Sequence, residues 1–229
     1  PLLETGNLTG ARKTSKPFKI VASLALGSRR LYDLIDGNPL FSFEPMDSVC
    51  NPVTIATQHK MVAIAQAYAI DLTGQVCIDQ FDGEFYSGIG SQGEFLRGAS
   101  RSPGGKPIVC MTSTTSDGAQ SRIRPALLTG EAATIARTDV HYVVTEFGIA
   151  YLFGKSIRER AMALIELAHP QFRPGLFAQA QAMGYLGADQ TLQNLRAYPV
   201  EEEITVTLKD GRKVMLRPAL STDAQGVRD

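Results

Sequence analysis

The sequence predicts an α/β domain built on an open mixed or largely parallel sheet with flanking helices. Two observations carry this. Short apolar runs rich in β-branched residues recur at Phe18–Leu26, Pro107–Met111 and Tyr142–Val144. Stretches with helical spacing of apolar residues alternate with them, most clearly over Ser156–Ala168. Strands alternating with helices bury both kinds of apolar face in layers, which is the α/β solution.

Taken in order, Phe18–Leu26 reads as a buried strand stopped by Gly27-Ser28. Leu31, Leu34 and Ile35 mark a short helix over Arg29–Asp36, broken by Gly37-Asn38-Pro39. Met61–Ile70 is apolar and continues through Asp71–Gln75 into Val76–Ile78, with a turn at Thr73-Gly74 between two strands. Pro107–Met111 and Tyr142–Val144 are further buried strands. Over Ser156–Ala168, Ile157, Ala161, Leu164, Ile165 and Ala168 share one helical face. Ser156 and Glu159 form a capping-box pattern, and His169-Pro170 ends that helix. A second helix is expected from Pro174 to about Met183, before Gly184. After Tyr198-Pro199 the texture changes to a hairpin, with Glu201–Thr207 and Val214–Leu216 flanking a turn at Asp210-Gly211. The expected division is therefore residues 1–199 as one domain and 200–229 as a linker and β-hairpin opening another.

Composition narrows the function classes. The 229 residues carry 23 basic and 23 acidic side chains, so the chain lacks the cationic excess that nucleic acids or acidic membranes require. Its three cysteines, Cys50, Cys77 and Cys110, are widely spaced and form no CxxC, which points away from disulfide frameworks and zinc ribbons and toward a reducing, cytoplasmic setting. No apolar run approaches the roughly 18 residues of a membrane span. The first residue is Pro1 and the last follows the start of a new element, so a piece of a longer protein is expected.

The densest candidate site is Tyr86–Phe95, where Gly88, Gly90 and Gly93 spell GxGxxG. Such a loop lets backbone N–H groups approach an anion or a developing oxyanion, especially where it opens a helix. A dinucleotide site would also need an acid about 20 residues on, and the nearest is Asp117. A plain glycine-rich strand-to-helix turn is the remaining alternative. Ser102–Lys106 is not a P-loop and reads as a tight turn with Lys106 exposed. His59, His141 and His169 share no metal-ligand spacing, no GxSxG accompanies Asp139-Val140-His141, and no metal site is expected. Cys110, amid apolar residues, is expected to be buried and inert. Glu146 closes a strand in Thr145-Glu146-Phe147-Gly148. Two readings stay open: a carboxylate serving a site at a strand end, or an ion pair with Arg122 or Arg137.

Many ordered segments then point one way. Arg12-Lys13-Thr14, Lys19–Asp33, Asp71–Val76, Phe85–Gly90, Phe95–Ala99, Gly104–Ile108, Ser121–Ile123, Asp139–Glu146, Gly154–Ala161 and Ala168-His169-Pro170 together resemble the C-terminal domain of the acetyl-CoA hydrolase/transferase family, with the 4-hydroxybutyrate CoA-transferases as the nearest branch. The resemblance spans about residues 9–175. It implies a CoA-transferase-like (NagB/RpiA-type) half that moves CoA between carboxylic acids, or from acetyl-CoA to water, through a glutamyl-CoA thioester. Under it, Ser87, Gly88, Ile89, Gly90, Ser91 and Gln92 line the thioester and its oxyanion, Lys106 contacts CoA, and Glu146 supports the site. The nucleophilic glutamate would lie ahead of Leu2, so these residues alone would be inactive. Acyl-CoA and a carboxylate are the implied ligands, with an N-terminal half of the same parent and a second copy in a homodimer as partners. The family's Gly-Gly-Gln is Gly90-Ser91-Gln92 here, Pro103 replaces a Lys, and Cys50 stands where an Asn is usual. Leu208–Ala219 with Asp223-Ala224 resembles the opening hairpin of a GNAT acetyltransferase. Together with the substituted positions it leaves a second reading, a non-catalytic acyl-CoA-sensing module that regulates a fused acetyltransferase.

Overall fold

The structure, a computed structural model, describes residues 2–192, 204–208, 210–211 and 213–216. A β-α-β unit comes first: β1 (Ile20–Ala22), α1 (Arg29–Ile35) and β2 (Phe41–Phe43), with β1 and β2 parallel. The expected buried strand over Phe18–Leu26 is therefore short and only half-buried, with Leu24 and Leu26 exposed. Among the described residues its ribbon has two strands and no third. Two short helices follow, α2 (Met46–Val49) and α3 (Pro52–Ala56). The second is capped by Asn51, whose side chain accepts from the Val53 and Thr54 amides, with Pro52 at its first turn.

The principal sheet contains β3 (Val62–Gln66), β8 (Lys106–Cys110), β10 (Tyr142–Thr145) and β11 (Gly148–Tyr151), in the order β11-β10-β8-β3. The first three named are parallel and β11 returns antiparallel on the edge. Between β3 and β8 the chain builds a second, smaller sheet from β4 (Ala69–Asp71) and β5 (Val76–Cys77), joined later by β9 (Ile123–Arg124). A hairpin follows, from β6 (Gln80–Phe81) and β7 (Glu84–Phe85). The single apolar stretch Met61–Ile70 is thus two strands. At the switch, the Ala67 amide donates to Cys110 O in one sheet, and the Tyr68 amide donates to Cys77 O in the other.

The turn predicted at Thr73-Gly74 joins β4 and β5. Asp71, buried, accepts the Thr73 amide at 2.9 Å, the Thr73 hydroxyl at 2.7 Å and the Gln75 amide at 3.0 Å on one oxygen. Its other oxygen takes the Gln75 side-chain amide at 2.7 Å. Both oxygens of the buried carboxylate thus accept hydrogen bonds, four in all, which offsets its desolvation.

Helices α4 (Gln92–Arg101), α5 (Ile157–Leu167) and α6 (Arg173–Ala182) complete the main body. The capping box at Ser156 and Glu159 forms, and the next two elements end and begin where His169-Pro170 and Pro174 predict. One face of the principal sheet, Ala63, Ala65, Val109, Val143 and Ala150, is buried together with Leu96 and Ala99 of α4 and Leu164 and Ile165 of α5. In the tail, β12 (Ile204–Thr207) pairs antiparallel with β13 (Lys213–Leu216) around Asp210-Gly211, as the turn signal predicts. Glu201–Glu203, Lys209, Arg212, everything from Arg217 onward and the expected boundary near residue 200 lie outside the described residues.

Candidate functional site

In a parallel sheet the helix after a strand runs back antiparallel to it, so α4 presents its N-terminus at the carboxyl ends of β3 and β8. That edge is where open α/β sheets hold ligands. The glycine loop arrives there from the β6–β7 hairpin, whose turn uses Asp82 (φ +54°) and Gly83 (φ +84°). Asp79 O accepts the Tyr86 amide at 2.8 Å, anchoring the loop's start. Beyond it Ser87, Gly88, Ile89 and Gly90 are exposed.

Gly90 (φ +65°) needs its glycine, because the left-handed region penalises a Cβ and that Cβ would strike the Gln92 side-chain amide. Ser91 (φ −109°, ψ 14°) lies in a region open to any L-residue, so its side chain leaves the backbone path of the loop unstrained. It occupies the N-cap of α4 without a side-chain cap bond, so its hydroxyl satisfies none of the first-turn amides. A small cavity of about 90 Å³ lies beneath, between Ser91, Gln92, Phe95 and Leu96 and the strand residues Ala63–Ala65. Gln92 lines it, and the Gln92 Oε1, beside Gly90, is buried without a hydrogen-bond partner. Phe85, Tyr86 and Ile89 (65% exposed) give the loop apolar walls.

The loop is braced from below. The Tyr86 ring packs on Tyr68 at 5.2 Å, and Arg122 lies over Tyr68 at 5.9 Å and over Phe81 at 5.2 Å. Arg122 also donates through Nε to Thr114 O at 3.1 Å. Glu146 does not pair with Arg122 or Arg137, which corrects one of its two readings. Its carboxylate accepts the Ser113 hydroxyl at 2.6 Å and the Ser113 amide at 2.9 Å. Burial, the largest single influence, opposes ionisation there, but the Ser113 hydrogen bonds, the Glu146 backbone amide and the nearby His169 together hold the carboxyl below its ordinary range. Ser113 O in turn accepts the Arg122 amide at 2.8 Å. Glu146 thus supports the ends of β8 and β10, and through Arg122 the base of the loop.

Lys106 is not brought to this site. It begins β8, exposed, at the far end of α4, about 15 Å away along a ten-residue helix. The turn before it needs its glycines, since Gly104 has φ +69° and a Cβ on Gly105 would strike Ala99 O. Cys110 is half-buried on the outer sheet face; the fully buried cysteine is Cys77. Sequence reasoning set no limits for α4, assigned no role to Tyr68 or Ser113, and offered Arg122 only as a partner for Glu146. Among the described residues no group of three or more His, Cys, Asp or Glu is placed to hold a metal ion, and no helix is long and apolar enough to cross a membrane. A larger cleft lies aside, between Gly6–Lys16 and α3–β3, and meets this site only at Phe95.

Comparison with known proteins identifies the arrangement. The model of the acetyl-CoA hydrolase/transferase C-terminal domain matches residues 27–180. The chain belongs to this family. Within the acetyl-CoA hydrolase/transferase family, it is 44% identical over 175 residues to the 4-hydroxybutyrate coenzyme A transferase of Clostridium kluyveri, covering 76% of this chain and 41% of that protein. It is 45% identical over 177 residues to a succinyl-CoA:acetate/propanoyl-CoA:succinate CoA transferase of Fasciola hepatica, covering 76% and 37%. The crystal structure of RipA from Yersinia pestis superposes with a TM-score of 0.76 at 38% identity, over 81% of this chain and 42% of that one. The chain spans about two-fifths of the length of the curated relatives it matches. The fold is that of CoA-transferase domains, and the glycine loop, the Asp71–Gln75 turn and Glu146 all fall inside the matched residues.

Proposed function

We propose that the chain is the C-terminal half of an enzyme that transfers CoA from a short acyl-CoA, such as acetyl-CoA, to a carboxylic acid, or hydrolyses the thioester with release of free CoA. The observation that carries this reading is the exposed glycine loop running into the uncapped N-terminus of α4 at the carboxyl edge of the sheet. Amides fixed by the backbone stabilise an oxyanion without reorganising, so they act mainly on the transition state. Phe85, Tyr86 and Ile89 offer an apolar wall to a short acyl group.

In the proposed cycle a glutamate carboxylate, which the family resemblance places ahead of Leu2, adds to the thioester carbonyl. Collapse of the oxyanion breaks the C–S bond and releases CoA thiolate, leaving a mixed anhydride. The thiolate then attacks the glutamyl carbonyl, expelling the first carboxylate and forming a glutamyl-CoA thioester. A second carboxylate repeats the sequence in reverse, or water hydrolyses the thioester. The amides of Ile89 to Gln92 face each oxyanion in turn, and Glu146 and Arg122 keep that turn in place.

The proposed division follows the same reading: residues 1–199 form this half, with the N-terminal half on the same polypeptide, a homodimeric assembly and a cytoplasmic location. Of the tail, the hairpin is seen, but its acetyltransferase resemblance finds no support in the comparisons. The sensing alternative was motivated partly by Ser91, and the ordinary backbone angles of that residue remove this motive. The test is isotope exchange in the full-length protein: labelled acetate should enter acetyl-CoA, and borohydride with acetyl-CoA should reduce one glutamate to an alcohol. Absence of both exchange and hydrolysis, with CoA still bound, would favour a sensor.

A further inference from the structure

The principal sheet has two unlike faces. One is sealed beneath α4 and α5. On the other, register aligns Ile64, Ile108, Tyr142 and Tyr151 in one row across all four strands, and Val144 and Ile149 lie side by side in the next. Ile64 is 69% exposed, Ile149 55% and Tyr151 37%. Lys106 at one rim and Gln66 at the other are the polar residues on this face, apart from the tyrosine hydroxyls. A sheet face evolved for water alternates toward polar and charged residues, whereas parallel strands are covered on both faces. A contiguous apolar patch of this kind marks a contact surface.

We infer that this face seats a second apolar layer supplied by the part of the family's longer polypeptide that this chain does not span. The inference rests on the two-half reading above and names the surface where the halves meet. Relatives have ample chain for it, since the matched segment is 41% of the C. kluyveri protein and 42% of RipA. Area argues against a second copy as the occupant. Four strands about 4.8 Å apart and four or five residues long make a flat footprint of about 300 Å². Free association of separate chains needs about 800 Å² per partner. A layer tethered on the same polypeptide does not meet that requirement. Sheet chemistry agrees, because parallel strands are covered by helices from crossover connections rather than by a second identical sheet.

The test uses the full-length protein with a benzophenone amino acid at position 149 and, as a control, at position 158 on the outward side of α5. The expected result is a cross-link from position 149 to a peptide of the same polypeptide outside residues 1–229, with none from position 158. A cross-link between two copies of this face, or equal labelling from both positions, overturns the inference. Cys110 lies on the same face and should resist iodoacetamide until denaturant is added; rapid labelling under native conditions overturns it too. Neither readout measures acyl transfer. A protein that exchanges no CoA still reports on this face, and one that exchanges CoA with position 149 unlinked sinks the docking alone.

Discussion

Glu146, at the end of β10, accepts both the hydroxyl (2.6 Å) and the backbone amide (2.9 Å) of Ser113, three residues beyond the end of β8. Two neighbouring parallel strands are thereby tied at the edge where the glycine loop lies. The carboxylate acts on the backbone that shapes the site, and its effects should appear in both stability and turnover.

Ser113→Ala removes one charge-assisted hydrogen bond and should cost about 1–2 kcal/mol. Glu146→Gln should remove the pH dependence of the tie. The folded carboxyl titrates below the ordinary value of 4.5, so its contribution is present above that value and fades as pH falls through the lower folded pKa. Urea midpoints at pH 7 and pH 3.5 check this: the difference should shrink in the Glu146→Gln variant. An unchanged difference would mean that Glu146 contributes nothing.

Gly90→Ala places a side chain at φ +65° and against the Gln92 amide. It should cost about 1–2 kcal/mol in stability and lower CoA exchange by more than that loss explains. Ser91→Gly, at ordinary angles, should change stability by less than about 1 kcal/mol and leave exchange near its starting rate. Thermal unfolding and exchange rates in the full-length protein separate the two.

Asp71→Ala strips four hydrogen bonds from a buried turn whose Thr73 O also accepts from Arg160 at 3.1 Å. The orphaned amides and hydroxyl should cost about 3–5 kcal/mol, visible as a lower denaturant midpoint at unchanged slope. A loss below about 1 kcal/mol would show that water replaces the carboxylate there.

His141 packs on Phe153 at 4.3 Å between ring centroids. Burial pushes its imidazole below the ordinary 6.5, with Arg160 adding to the shift and Asp139 opposing it. A lowered folded pKa means fewer protons bound in the native state, so stability is whole above about 6.5 and falls as pH drops below it. His141→Phe should flatten stability between pH 7.5 and 5, measured by urea unfolding. A slope equal to that of the parent would contradict this.

Local signals were legible where the chain alone sets the geometry. The capping box at Ser156 and Glu159, the stop at His169-Pro170 and the turns at Thr73-Gly74 and Asp210-Gly211 all form as their spacing predicts. The extent of α4 was not legible because Gly93 and Gly98 lower its helix propensity. Gly98 has a tertiary reason: a Cβ there would meet Pro52 O at 3.0 Å and the Ile55 side chain closer still, so glycine lets α3 and α4 approach. Lys106, expected as a CoA contact, begins β8 a helix length from the glycine loop, a separation that spacing along the chain does not encode.

By itself the sequence determined the α/β class, most of the principal-sheet strands, the helix limits over Ser156–Met183 and the glycine loop proposed as the site. These depend on periodicity, caps and turn residues, which act over a few positions. Only the tertiary structure decided that Met61–Ile70 divides between two sheets, that Glu146 binds Ser113 and leaves Arg122 to the aromatic rings, and that one sheet face stays open. Those outcomes depend on contacts between residues tens of positions apart, and local spacing along a chain does not encode which distant partner wins.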